Sequence, residues 1–166
     1  MSMRPVLAFA TLLGLTMPAC AAVTDRRVSG VAVAVRGDEI QLGNKRIRLA
    51  GIVAPKIIQY CRDASTKPYP CGRKSMEFLG SLIDRRLVRC SVKPDGIGSC
   101  YLGRRDLSAM MIESGEAIPA RDAPATYRTL SEQAKSFRKG LWQGDFIHPD
   151  EWHRYLRRNP IVKTSK

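Results

Sequence analysis

Cys90 and Cys100 stand five residues either side of Asp95, and Pro94-Asp95-Gly96 between them is a turn signal. Leu87–Val92 and Gly98–Leu102 flank that turn and read as strands. A hairpin folded at Asp95 sets the two cysteines opposite each other, which predicts a cross-strand disulfide. By elimination Cys61 pairs with Cys71, also ten residues apart, across the loop RDASTKPYP. Four buried free thiols are the alternative. The chain has no CxxC motif, so zinc is not expected.

Disulfides need an oxidising compartment, and the N-terminus agrees. Arg4 is followed by an uncharged run from Pro5 to Thr24 whose apolar part is VLAFATLLGL. That length suits a signal peptide and is short for a membrane span. Ala19-Cys20-Ala21 gives the small-x-small pattern of a cleavage site, so cleavage after Ala21 is expected, leaving no transmembrane domain. The protein is then periplasmic or secreted. Lipid attachment at Cys20 is an alternative, since Met17-Pro18-Ala19-Cys20 loosely resembles a lipoprotein box, and an uncleaved anchor is another.

The remaining pattern runs strands first, then helices. Val28–Val35 alternates valines with small residues, a period of two. Glu39–Leu42 and Lys45–Leu49 flank Gly43-Asn44, a second hairpin signal. Residues 73–85 place Met76, Leu79, Leu82 and Ile83 at helical spacing. Asp106 caps a short helix through Met110 and Met111 that Gly115 stops. Pro124 opens a third helix with Tyr127, Leu130, Ala134, Phe137 and Leu141 on one face and Gly140 at its end. Five short strands with one inserted helix and helices at the end predict an α+β barrel of the OB type with three α-helices. A length of 166 residues allows one such domain. The boundaries read as a signal peptide (1–21), a short segment (22–27), the barrel domain (28–154) and a basic C-terminal tail (155–166).

Lys and Arg total 28 against 15 Asp and Glu, a formal charge of +13. Such a surface favours polyanions: nucleic acid, acidic polysaccharide or anionic headgroups. His148 and His153 show no ligand spacing.

The string Val35-Arg36-Gly37-Asp38-Glu39-Ile40-Gln41-Leu42, followed by Arg48-Leu49-Ala50-Gly51-Ile52-Val53-Ala54-Pro55-Lys56, resembles the core of the staphylococcal nuclease-like, or thermonuclease, family. Members usually show D-G-D-T before the second strand and R-L-x-G-I-D-A-P-E after the third. Gly103-x-x-Asp106-Leu107, Gly115-x-Ala117, Gly140-Leu141-Trp142, Phe146 and Trp152 match later signatures. The resemblance covers residues 28–154 and implies a five-stranded OB barrel with three helices. It also implies calcium-dependent hydrolysis of phosphodiester bonds in DNA and RNA. Aspartates would hold the calcium, a glutamate would activate water, and two arginines would stabilise the phosphate charge.

Carried over residue by residue, the family pattern is thin. Asp38 and Arg48 are retained as residual catalytic candidates. Arg36 replaces the first aspartate of D-G-D-T, Val53 replaces the aspartate of I-D-A-P, and Lys56 replaces the glutamate. The second arginine falls on Ser99 or in a shortened turn. The family positions thus carry +2, from Arg36, Arg48 and Lys56 against Asp38. A positive pocket repels calcium and attracts anions, so no metal is expected unless Asp38 keeps a residual calcium site. The anion-binding candidates are Arg36, Arg46, Arg48 and Lys56. Glu39 follows Asp38 on a strand and is expected on the opposite face. Asp63 and Glu77 are candidate replacement carboxylates, and Arg104 and Arg105 candidate replacement arginines.

The leading expectation is an exported thermonuclease-family protein that binds nucleic acid, acidic polysaccharide or another polyanion with little or no hydrolysis and without a cofactor. The alternatives are an active phosphodiesterase with a rearranged site, calcium included, and a non-catalytic envelope or polysaccharide-assembly protein. Trp142 and Trp152 read as packing residues rather than stacking platforms. Arg154, Arg157, Arg158, Lys163 and Lys166 read as a solvated basic end. Oligomeric state is not legible.

Overall fold

Strand β1 (Arg26–Arg36) is long enough to pair with two neighbours at once. Its second half runs antiparallel to β2 (Glu39–Leu42), and its first half antiparallel to a strand far along the chain, β7 (Leu87–Val92). The computed structural model describes residues 25–159. The leader, with Ala21 and Cys20, and the tail residues Lys163 and Lys166 therefore lie outside the described residues.

The hairpin from β2 to β3 (Lys45–Leu49) turns at Gly43-Asn44, as its sequence predicts. Short pieces follow: β4 (Ile52–Val53), β5 (Cys61–Arg62) and β6 (Pro68–Tyr69). Helix α1 (Cys71–Ile83) then leads into β7, and the second hairpin continues through β8 (Ile97–Leu102) and β9 (Arg105–Asp106). The sheet order is β3-β2-β1-β7-β8-β9, and β3 also pairs parallel with β8, so β1, β2, β3, β7 and β8 close a five-stranded barrel. Closure removes the exposed edges that an open sheet would present.

The alternation of each strand fills this barrel. Ile40, Ile47, Leu49, Val88 and Leu102 point inward and are buried, as is Ala32 of β1. The small residues of β1 face the core, while Val31 and Val33 are exposed. Gly98 is required by packing: a Cβ there would stand 2.8 Å from Cγ2 of Ile47, the side chain that fills the barrel beside it. Leu79 and Ile83 of α1, and Leu107, Met111 and Ile112 of α2 (Leu107–Glu113), complete the core. Burying one such branched side chain is worth about 1.5–3 kcal/mol.

Both disulfides pair as expected. Cys90 lies opposite Cys100 in the β7–β8 register, with 4.1 Å between Cα atoms, and Cys61 bonds Cys71 at a Cα separation of 5.6 Å. Asp106 caps α2 by accepting from the Ser108 N–H at 2.8 Å, and its other oxygen accepts from the Tyr127 hydroxyl at 2.6 Å. That bond ties α2 to α3 (Ala125–Ser136).

The helical half departs from the sequence expectation. There are four α-helices among the described residues, not three: α4 (Trp152–Arg158) follows a 3₁₀ turn over Gly140–Gln143. Helix α4 runs through the boundary expected at 154/155, and β1 starts before residue 28. Arg154, Arg157 and Arg158 therefore belong to a helix. The sequence pattern carries the third helix through Phe137 and Leu141, on one face with Tyr127, Leu130 and Ala134. The helix ends at Ser136 instead, because the chain reverses through Arg138 at φ 51°. Leu141 is buried by the separate 3₁₀ turn, and Phe137 is 73% exposed. Leu141 joins Ile118, Cys61 and Cys71 in a second, smaller apolar cluster, against which Trp142 and Phe146 pack edge to face. Trp152 is buried and stacks on Tyr155.

Candidate functional site

The β1–β2 turn lines a polar cleft. Pairing in β1 slips between Ala34 and Arg36, so that Arg36 lies opposite Glu39. The slip is a bulge, and a bulge re-aims the side chains beyond it. Asp38, in the turn, and Glu39, at the start of β2, both line the cleft. The Arg36 guanidinium reaches Asp38 Oδ1 with Nε at 3.0 Å and Glu39 Oε2 with Nη2 at 3.2 Å. Both acids are buried, and the Ala54 N–H also approaches Asp38 Oδ2 at 3.5 Å. The expectation that Glu39 faces away from Asp38 is thus corrected. Alternation holds within a strand, but Asp38 belongs to the Gly37-Asp38 turn and β2 begins only at Glu39.

Strand β3 supplies the cations. Ile47 is buried, so its neighbours Arg46 and Arg48 point outward together. The Arg48 N–H donates to the Gly96 carbonyl at 3.0 Å, which fastens the β7–β8 turn to β3. Gly96 holds φ +80°, the left-handed conformation that glycine adopts without steric cost. The carboxylate of Asp95 accepts from the Ile97 N–H at 2.9 Å, completing that turn. Lys93 is carried into the cleft on the same hairpin.

Lys56 is set by a tight loop. Its N–H donates to Gln59 Oε1 at 3.2 Å, and the buried Gln59 Nε2 donates to the Ile147 carbonyl at 2.6 Å. Val53, paired through β4 to β10 (Ile118–Pro119), lies on the same wall.

These residues surround a cleft of about 700 Å³. Its lining brings together Arg36, Asp38, Arg46, Arg48 and Lys56, all anticipated from sequence, with Val53. It also contains Glu39, Lys93, Asp95, Asp122 and Asp150, which sequence reasoning missed or placed elsewhere. The family positions were expected to leave an excess of +2. Those four positions all line the cleft, and the whole lining around them is balanced, with five cations (Arg36, Arg46, Arg48, Lys56, Lys93) and five acids (Asp38, Glu39, Asp95, Asp122, Asp150). Asp122 and Asp150 come from loops over 80 residues further along the chain than Asp38, and no local signal marks them.

The other candidates lie elsewhere. Asp63 accepts from the Ser65 and Lys67 N–H groups at 2.8 and 3.0 Å, organising its own loop. Arg105 pairs with Glu113 at 3.6 Å. Neither Arg104 nor Glu77 lines the cleft, nor does Ser99. Lys93 is the cation that the turn actually presents. His148 approaches Asp150 at 3.9 Å without further ligand-type neighbours. Trp142 and Trp152 also lie off the cleft, as packing residues.

Calcium takes six to eight oxygen ligands, mostly carboxylates and carbonyls. The two buried carboxylates here already accept from Arg36, and Arg48 and Lys56 line the same wall. Among the described residues no group of three or more His, Cys, Asp or Glu is arranged to hold a metal ion. The donor set does not fit calcium: a cation seated between Asp38 and Glu39 would first have to displace the guanidinium.

A titration shift appears in a carboxylate outside the cleft. Burial raises the Glu116 pKa, with Lys74 partly offsetting it.

Residues 46–144, more than half of the chain, match the family described as staphylococcal nuclease homologue. The succinoglycan biosynthesis protein ExoI of Rhizobium meliloti (strain 1021) is 28% identical over 129 residues, covering 73% of this chain and 68% of that protein. The closed barrel, its flanking helices and the match over residues 46–144 agree, and this chain belongs to the staphylococcal nuclease homologue family.

Proposed function

We propose that this protein binds an anionic polymer across the barrel cleft, in an exported setting, without metal-dependent hydrolysis. The observation that carries the reading is Arg36 at 3.0 and 3.2 Å from Asp38 and Glu39. A permanently charged guanidinium sits where hydrolysis would need free carboxylates, while Arg46, Arg48, Lys56 and Lys93 have no ion-pair partner among the described residues. Such cations bind anionic groups directly, and arginine's fork suits phosphate and carboxylate alike. The two disulfides are consistent with export. No helix among the described residues is long and apolar enough to cross a membrane. The relative named for succinoglycan biosynthesis makes a carbohydrate polymer a reasonable ligand class.

The test is an assay of the purified, disulfide-intact protein on single-stranded DNA and RNA, with calcium and with chelator. An Arg48→Ala variant controls for contaminating nuclease. The expected result is no calcium-dependent cleavage, with polyanion binding that weakens steeply as salt rises. Cleavage that calcium supports and the variant lacks would overturn the reading.

One observation favours a second reading, a working phosphodiesterase. Asp38, Glu39 and Arg48 line one cleft. If Arg36 swung aside, they would provide two carboxylates and a phosphate-binding arginine. The same assay decides between the two.

A further inference from the structure

Beside the cleft lies a second depression, of about 400 Å³, whose charge is all of one sign. It is lined by Arg26, Lys45, Arg46 and Lys93, and by no acid. Its exposed apolar surface is aliphatic: Val28, Val92 and Pro94. Arg46 and Lys93 line both cavities, so the two adjoin. None of the four cations has an ion-pair partner among the described residues. The unbalanced positive charge therefore sits in the groove, whereas the cleft lining carries as many acids as cations.

The groove is held by covalent and backbone ties. The Cys90–Cys100 disulfide pins the hairpin that carries Lys93, and the Arg48 N–H to Gly96 carbonyl bond locks its turn to β3. The cations are thus presented by a fixed wall, which lowers the ordering cost of binding. Neither the groove nor the cleft has an aromatic ring in its lining. Single-stranded nucleic acid is gripped by a basic groove together with aromatic platforms on which bases stack. A polymer without bases needs no such platform. Its sugar rings can lie against the aliphatic side chains while its acidic substituents meet the cations.

We infer that the groove of Arg26, Lys45, Arg46 and Lys93 is a binding site for successive carboxylates of an acidic polysaccharide that continues from the cleft. The inference rests on the polymer-binding reading above and names its ligand class.

The experiment measures binding of the disulfide-intact protein to fluorescent oligogalacturonate, and to oligo(dT) of equal charge, over a salt series. Two double variants are compared, each checked by its melting temperature. Arg26→Glu with Lys45→Glu touches the groove alone, and Arg48→Ala with Lys56→Ala the cleft alone. The expected result is that oligogalacturonate binds more tightly than oligo(dT). The groove variant should then lose at least tenfold in affinity for it and show a shallower salt dependence. If the groove variant binds like the parent while the cleft variant does not, the groove is overturned and the cleft reading survives. Tighter binding of oligo(dT) overturns the polysaccharide assignment. Binding of neither probe overturns the polymer-binding reading itself.

Discussion

In the β1–β2 hairpin Arg36 lies within 3.2 Å of both Asp38 and Glu39; in the β7–β8 hairpin Lys93 faces the same cleft with no carboxylate in ion-pair reach. Asp95, two residues on, turns its carboxylate to its own turn and caps the Ile97 N–H. One hairpin neutralises its charge internally. The other leaves it available to a ligand. The local reason is register: a bulge points Arg36 and its acids at one another, whereas a regular two-strand turn keeps Lys93 apart. A basic composition therefore says little about where anions bind until the pairing of each cation is known.

Breaking the ties of the second hairpin tests the comparison most severely. Both disulfides close spans of ten residues, so replacing either cysteine pair by alanine should cost a similar amount, about 2–3 kcal/mol. Urea unfolding measures the cost. Polyanion affinity should fall further in the Cys90→Ala, Cys100→Ala protein, since that bridge holds Lys93. Equal affinity in the two variants would mean that the hairpin needs no such support.

Arg36→Ala attacks the first hairpin. Removing the guanidinium leaves two buried carboxylates without their partner, which should destabilise the fold by about 2 kcal/mol. Added calcium should then raise the melting temperature of the variant and leave the parent unchanged. A parent that calcium stabilises equally would contradict the internal pairing.

Lys93→Ala should behave in the opposite way. The side chain is exposed and unpaired, so stability should hold within about 0.5 kcal/mol. Affinity for a polyanion should drop roughly threefold, with a salt slope lower by about one charge. A large loss of stability with unchanged binding would reverse the roles assigned to the two hairpins.

Glu116 gives the smallest expected effect and a useful contrast, a half-buried carboxylate with no arginine on it. Burial raises its pKa above the ordinary 4.5, with Lys74 partly offsetting. The folded state thus holds this proton more tightly than the unfolded chain. Its contribution to stability is present below the unfolded value and is lost as pH rises through the folded one. Glu116→Gln should therefore gain stability relative to the parent between pH 4 and pH 7, read by urea unfolding at both. A constant difference would show that Lys74 and solvent already compensate the burial.

The barrel was readable because its signals are local. Alternation around Gly43-Asn44 and Pro94-Asp95-Gly96 marks the hairpins, and cysteines placed symmetrically about Asp95 report their register. Within the cleft, Arg46 and Arg48 were legible for the same reason, since period two puts them on one face. Glu39 was not, because the alternation rule was applied from Asp38, which lies in the turn before the strand begins. Phe137 was misplaced because helical spacing continues past Ser136 while the backbone does not. Helix α4 was missed because its apolar residues, Trp152, Tyr155 and Leu156, are few among arginines.

The sequence by itself determined the strand order up to the hairpins, both disulfides and the family. Those depend on residue identity and on contacts within about ten residues. Tertiary structure alone decided the charge of the site. Barrel closure between β3 and β8 set Lys93 beside Arg46, loop packing delivered Asp122 and Asp150, and the bulge turned Glu39 onto Arg36. Electrostatic interactions depend on distance in space, and a chain position fixes that distance only once the barrel has closed.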